Sequence, residues 1–125
     1  MTLERAVSLF DASLANTAPL ALKTRWLSEA DALFFAELLA PRREGDFAGY
    51  DESTPADTEL LIPAPYDVAY GYYLAMKLYD SLGETVRANN AAERFNNAWF
   101  ALANAVSREM PVQATCTIKA GDCYV

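Results

Sequence analysis

Few side chains in this 125-residue sequence have the chemistry of catalysis or metal binding. Histidine is absent, which removes the commonest general base and the commonest metal ligand. A Ser-His or Cys-His nucleophile is therefore excluded, because each needs the missing imidazole. The five glycines are too scattered for a phosphate-binding loop. These features predict a protein that is not an enzyme and uses no cofactor.

Carboxylates are the reactive groups that remain, and they are concentrated in one stretch. Six acidic residues and neither Lys nor Arg lie between positions 44 and 59, which accounts for most of the net charge of −7. Asp51 and Glu52, with Asp57 and Glu59, could exchange protons or hold a cation. Their spacing matches neither an EF-hand nor an octahedral ligand set, so no metal is predicted. A solvated acidic surface is simpler, and it disfavours direct binding of nucleic acid.

The two cysteines, Cys116 and Cys123, lie near the C-terminus. Their spacing fits no zinc motif, and there is no histidine to complete a ligand set. Two thiols that are at least partly buried are the simplest interpretation. The alternative is a disulfide between the two cysteines within a hairpin, if the protein ends up outside a cell.

The sequence carries no sign of membrane insertion or secretion. No stretch approaches the roughly 20 uninterrupted apolar residues of a membrane span. The N-terminus lacks the basic-then-apolar layout of a secretory signal. We therefore expect a soluble protein that is made in the cytosol and has no membrane partner.

Hydrophobic periodicity predicts two helices in the first third of the chain. The first spans about residues 2–15, with Thr2 as its N-cap. The second spans about residues 20–39 and carries a wide apolar stripe. Lys23 and Asp31 are expected to lie largely off that stripe, on the polar side of the helix.

Two further helices are predicted after residue 64. The third begins near Pro65 or Tyr66 and ends at Gly83, which has the position of a C′ glycine. The fourth spans about residues 84–110. Because almost nothing joins them, they are expected to pack as an antiparallel hairpin.

Residues 44–65 form an unusually long loop between the second and third helices. Phe47, Tyr50 and the run at 60–62 are apolar groups within this acidic stretch. They indicate extended or strand-like pieces that dock on another surface. The alternative is a solvated loop with a few residues fixed to its own core.

The C-terminal residues 112–125 differ from the rest of the chain. Apolar and polar residues alternate from Val112 to Lys119, which is typical of a strand. An isolated hairpin is marginal in water, so this tail is expected to pair with the acidic loop or with another subunit. The domain organisation is thus a mainly all-α, four-helix-bundle-like domain over residues 1–111, with an extended tail or hairpin over 112–125.

The third predicted helix has aromatic residues on more than one face. Tyr70 falls on a different face from Tyr72 and Tyr79. A helix that is apolar most of the way round is buried on more than one side. The second side is predicted to be covered by another subunit, although much of the cluster could be ordinary core.

A set of ordered motifs resembles small neck proteins of tailed bacteriophages, the head–tail connector (adaptor) family. The resemblance covers roughly residues 20–111. Its pieces are Arg25-Trp26-Leu27-Ser28-Glu29, Phe47-Ala48-Gly49-Tyr50-Asp51, Asp57-Thr58-Glu59-Leu60-Leu61-Ile62-Pro63-Ala64-Pro65-Tyr66-Asp67, Tyr72-Tyr73-Leu74, Asn89-Asn90, Phe95-Asn96 and Met110-Pro111.

The resemblance implies a structural virion protein of the neck, assembled in the host cytoplasm. Subunits of this family form a ring, typically twelvefold, beneath the portal protein. The ring extends the DNA channel toward the tail or neck completion protein, and DNA passes through without sequence-specific binding. The family has no catalytic residues to carry over, and the tail at 112–125 departs from its familiar pattern.

Two sets of residues are candidates for function within such a ring. Asp51, Glu52 and Asp57 are predicted to line the lumen or to meet basic patches on a partner. The candidate contacts with another subunit or with the portal are Tyr50, Leu60, Leu61, Ile62, Tyr66, Tyr70, Cys116, Ile118 and Tyr124.

Two other functions stay open. The first is a minor capsid or tail-completion protein of a phage, which would contact the shell or the tail tube. The second is a non-viral helical module that binds other proteins.

Overall fold

The computed structural model of the protein describes residues 1–109, which fold into four α-helices. Helix α1 spans Leu3–Ser13, α2 spans Leu20–Phe34, α3 spans Val68–Ser81 and α4 spans Thr85–Glu109. A π-helical turn, Phe35–Leu39, continues α2. The predicted all-α fold is therefore confirmed. The predictions for the tail, with Cys116, Ile118 and Tyr124, lie outside the described residues.

The start of α1 holds the end of the long loop. The Thr2 hydroxyl accepts a hydrogen bond from the Arg5 amide at 3.2 Å, which confirms the predicted N-cap. The backbone beside this cap pairs with the loop, because the Leu3 amide donates to the Thr58 carbonyl and the Leu60 amide donates to the Met1 carbonyl, each at 2.9 Å. The extended piece expected in the loop thus pairs with the N-terminal residues of its own chain.

Helix α2 buries two charged residues that the sequence placed on its polar side. Lys23 is buried and forms an ion pair with the Asp11 carboxylate at 2.7 Å, which joins α2 to α1. The Lys23 hydrogen bond, with a second one from Asn16, lowers the pKa of Asp11. Asp31 is buried as well, with 0% of its surface exposed. The prediction that Lys23 and Asp31 lie off the buried stripe is therefore wrong, because Lys23 reaches the exposed Asp11 from a buried position and Asp31 has polar partners inside the fold.

Helices α3 and α4 form the expected antiparallel hairpin. The Tyr73 ring packs on the Phe95 ring with a centroid distance of 5.2 Å, and the Arg87 guanidinium lies over the Tyr79 ring at 5.9 Å. Later positions of α3 therefore contact earlier positions of α4, as they do in an antiparallel pair of helices. Gly83 has φ +76°, a conformation that suits the glycine following a helix, as predicted.

The core lies where all four helices meet. Its fully buried side chains include Leu27 of α2, Leu74 of α3 and Leu102 of α4. Leu60 and Ile62 of the long loop are also part of this core. Within residues 1–109, every helix falls short of the length and apolar character that a membrane crossing requires.

Candidate interaction surface

The long loop at residues 44–65 is fixed to the helices through the buried carboxylate of Asp31. The Tyr50 hydroxyl donates to Asp31 Oδ2 at 2.5 Å, and the Leu61 amide donates to the same oxygen at 3.0 Å. The Tyr70 hydroxyl, from α3, donates to Asp31 Oδ1. One carboxylate of α2 therefore receives donors from two separate points of the loop and from a neighbouring helix.

Tyr70 extends this arrangement to a third point of the loop. Its hydroxyl oxygen accepts a hydrogen bond from the Ile62 amide at 2.7 Å while its proton is directed at Asp31. We call Asp31, Tyr50, Leu61, Ile62 and Tyr70 the Asp31 network. Each side-chain oxygen of the network has a hydrogen-bond partner, as is usual for buried polar groups in stable cores.

The electrostatics of the Asp31 network suit positioning and not chemistry. Burial raises the pKa of Asp31, and the three donated hydrogen bonds oppose that rise. Burial and the neighbouring Asp31 raise the pKa of both Tyr50 and Tyr70, so their hydroxyls stay neutral donors. The carboxylate is enclosed and its oxygens are occupied by fixed donors, so the network does not present a general base to a substrate.

A second anchor holds the loop beside α2. The Tyr50 amide donates to the Ser28 hydroxyl at 3.0 Å. Gly49 has φ +89°, and a Cβ atom there would lie 2.9 Å from the Ser28 Oγ atom. Glycine suits this position, because any other side chain would be strained at this φ and would displace the Ser28 hydroxyl that holds the Tyr50 amide. The Phe47 ring packs edge-on against the Tyr50 ring, with their centroids 5.2 Å apart, and adds an apolar contact to this anchor.

The acidic side chains lie on the exposed part of this fixed loop. Asp51 accepts hydrogen bonds from the Ser53 hydroxyl at 2.6 Å and the Ser53 amide at 2.8 Å, and these bonds lower its pKa. The backbone therefore turns sharply at residues 51–54. Asp51, Glu52 and Asp57 are all exposed. We call residues 51–57 the acidic turn, a negatively charged surface of defined shape.

The predicted contact residues fall into two groups. Tyr50, Leu61 and Tyr66 are half-buried and keep some free surface. Leu60, Ile62 and Tyr70 are exposed by only 6%, 1% and 1%, so they have almost no surface to offer another subunit. Their assignment as contacts is corrected, because they complete the protein's own core.

The prediction that another subunit covers the second face of α3 is wrong for Tyr70. That face is covered by the chain's own residues 60–62 and by α2, with the hydroxyl of Tyr70 held by Asp31. The loop was expected either to dock on something or to be solvated. It docks on its own helices and leaves the acidic turn in solvent.

Asp31 is the residue that sequence reasoning missed. It follows Leu27 by four positions and precedes Phe34 by three, so it shares their face of α2. Both neighbours are fully buried. An acidic residue on the buried face of a helix signals a buried polar network, and that signal was present in the sequence.

No group of three or more potential metal ligands occurs within residues 1–109. Comparison of the chain with protein-family models, with curated proteins and with solved structures finds no match. The fold and the surface described above define an all-α protein with a rigidly held, acidic, solvent-exposed loop.

Proposed function

We propose that this chain is a structural virion protein, a head–tail connector subunit that forms a ring beneath the portal and extends the DNA channel toward the tail. Its partners in this proposal are further copies of itself, in a ring that the sequence resemblance suggests is twelvefold. The others are the portal protein and a tail or neck completion protein. The protein acts by assembly and not by catalysis.

The observation that carries the proposal is the fixed presentation of the acidic turn. A loop that made no contacts with the rest of the fold would sample many conformations and would lose conformational entropy when it docked on a partner. Here the Asp31 network and the Ser28 anchor hold the loop on both sides of the acidic turn. A preformed surface of this kind binds a partner with little ordering, which suits a subunit that must repeat one contact around a ring.

The acidic surface also suits a DNA channel. Copies of the acidic turn around a ring would concentrate negative charge, which repels the phosphate backbone and limits adhesion of passing DNA. In the alternative arrangement, the acidic turn lies at a contact, and its charge attracts basic patches on a neighbouring protein. A non-viral helical module that binds other proteins could use the same surface, so the test must separate the two.

The proposal is tested by size-exclusion chromatography with light scattering of the purified protein. The sample is run alone and after mixing with the portal protein of a phage whose genome encodes this chain. We expect co-elution with the portal as a complex containing many copies of this chain, because ring contacts and portal contacts reinforce one another. The portal alone and this protein alone are the reference runs. Separate elution of the two proteins at every mixing ratio would contradict the proposal.

A further inference from the structure

A groove runs between the C-terminal end of α1, the middle of α3 and the first half of α4. It encloses a cavity of about 450 Å³. Its apolar walls include Phe10, Leu14, Tyr72 and Tyr79. Small-molecule sites commonly have about 300–1,000 Å³, so this space is large enough to receive a few side chains of a partner. We call it the α1–α3–α4 groove.

Two arginines are the charged side chains that line this groove. Arg87 and Arg94 lie seven residues apart on α4, so they share one side of that helix. The Arg87 guanidinium lies over the Tyr79 ring. Its ion pair with Glu84 is long, at 3.5 Å, and joins two solvent-exposed side chains. Arg94 takes part in none of the ion pairs found within residues 1–109. The groove is thus a positive site on a protein whose net charge is −7.

The acidic turn has the opposite charge and lies elsewhere on the molecule. Glu52 and Asp57 are exposed and make no ion pair within the described part of the chain. No lining residue of the groove belongs to residues 44–65. The protein therefore carries two complementary surfaces that do not overlap.

We propose that the α1–α3–α4 groove of one copy receives the acidic turn of a second copy. This inference deepens the proposed function and rests on it. Two different surfaces that bind each other make a head-to-tail contact, and such contacts close into a ring when the rotation between copies allows it. A second copy is the occupant we commit to, because its preformed turn supplies acidic groups that Arg94 lacks within residues 1–109 and that Arg87 finds there only in the exposed Glu84.

The test is a charge swap between two variants, followed by sedimentation velocity. One variant, Arg87→Glu with Arg94→Glu, reverses the groove. The other, Glu52→Lys with Asp57→Lys, reverses the turn and leaves the Asp51 hydrogen bonds in place. We expect each variant alone to associate at least about tenfold more weakly than the wild-type protein. We expect the equimolar mixture to recover association, because each reversed surface then meets a complementary one.

A matched control reverses two exposed arginines outside the groove, Arg5→Glu with Arg108→Glu. We expect it to associate as the wild-type protein does. Association of the wild-type protein should also weaken at about 0.5 M salt, where the Debye length falls to a few ångströms. Circular dichroism checks that every variant keeps its helices.

Three results would overturn the inference. They are wild-type protein that stays monomeric up to about 1 mM, reversed variants that associate normally, and a mixture that does not recover. The last result is also what occupation of the groove by residues 110–125 or by another acidic protein would give. Portal binding is scored separately: a monomer that still binds the portal removes this contact and keeps the proposed function. If the mixture of the two variants recovers association but the protein does not bind the portal, the contact between copies stands and the proposed function is removed.

Discussion

Replacing Asp31 with alanine is expected to lower the free energy of unfolding by about 2–4 kcal/mol. The change leaves the Tyr50 hydroxyl, the Tyr70 hydroxyl and the Leu61 amide without their acceptor. A buried donor such as the Tyr70 hydroxyl costs about 1–3 kcal/mol when it loses its partner, and the part-buried Tyr50 and Leu61 donors cost less because water can reach them. Urea unfolding followed by circular dichroism measures the change.

The control for this prediction is Glu37→Ala, which removes an exposed carboxylate from the continuation of the same helix. It is expected to alter the free energy of unfolding by less than about 0.5 kcal/mol. Tyr70→Phe should fall close to Asp31→Ala, since it removes the hydroxyl that joins Asp31 to the Ile62 amide. Equal stability of Asp31→Ala and Glu37→Ala would show that the Asp31 network does not hold the loop.

The effect of Asp31 should also depend on pH in a defined direction. Burial raises the pKa of Asp31 in the folded protein, so the folded state binds this proton more tightly than the unfolded chain. The contribution of Asp31 to stability therefore decreases as the pH rises from about 4, its unfolded pKa, through the folded value. The stability difference between the wild-type protein and Asp31→Ala should thus be larger near pH 4 than at pH 7.

Reversing the charge of the acidic turn is expected to impair neck assembly or genome retention. The variant carries Asp51→Lys, Glu52→Lys and Asp57→Lys in phage particles that encode this chain. Three exposed negative charges become positive, and like charges placed across a contact cost several kcal/mol. The Ser53 amide and hydroxyl also lose their Asp51 acceptor, which loosens the turn. We expect at least about a tenfold loss of infectious particles, with heads that lose their DNA or lack tails. Plaque counts and negative-stain microscopy measure both effects.

A matched control reverses three exposed acids outside the loop: Glu37→Lys, Glu93→Lys and Glu109→Lys. The change in net charge is the same, so a general effect of charge would appear in both variants. We expect the control particles to be close to wild type. If particles carrying the reversed acidic turn were full and infectious, the acidic turn would have no role in neck assembly.

The four helices were predictable because their periodic apolar residues, caps and breakers agree. Thr2 was read as a cap from its hydroxyl and position, and Gly83 as a terminator from its freedom to adopt positive φ. The second helix was predicted to end near residue 39. The observed helix ends in a π-helical turn, Phe35–Leu39, which no residue pattern in the sequence distinguishes from α-helix.

The long loop was predictable only in part. Its apolar residues indicated docking, but local sequence does not say which surface a loop meets. The answer depends on Asp31, which comes 19 residues before Tyr50 and 39 before Tyr70. Such long-range pairing is set by the packed helices and not by spacing along the chain. For the same reason Tyr70 was taken as a contact when it is part of the core.

The most direct test of the central claim is electron cryomicroscopy of the neck of phage particles that encode this chain. The account predicts a ring of density between the portal and the tail, into which many copies of helices α1–α4 fit, with each acidic turn at a contact between copies. A neck that is complete without this chain, or density for the chain on the shell or along the tail tube, would contradict it.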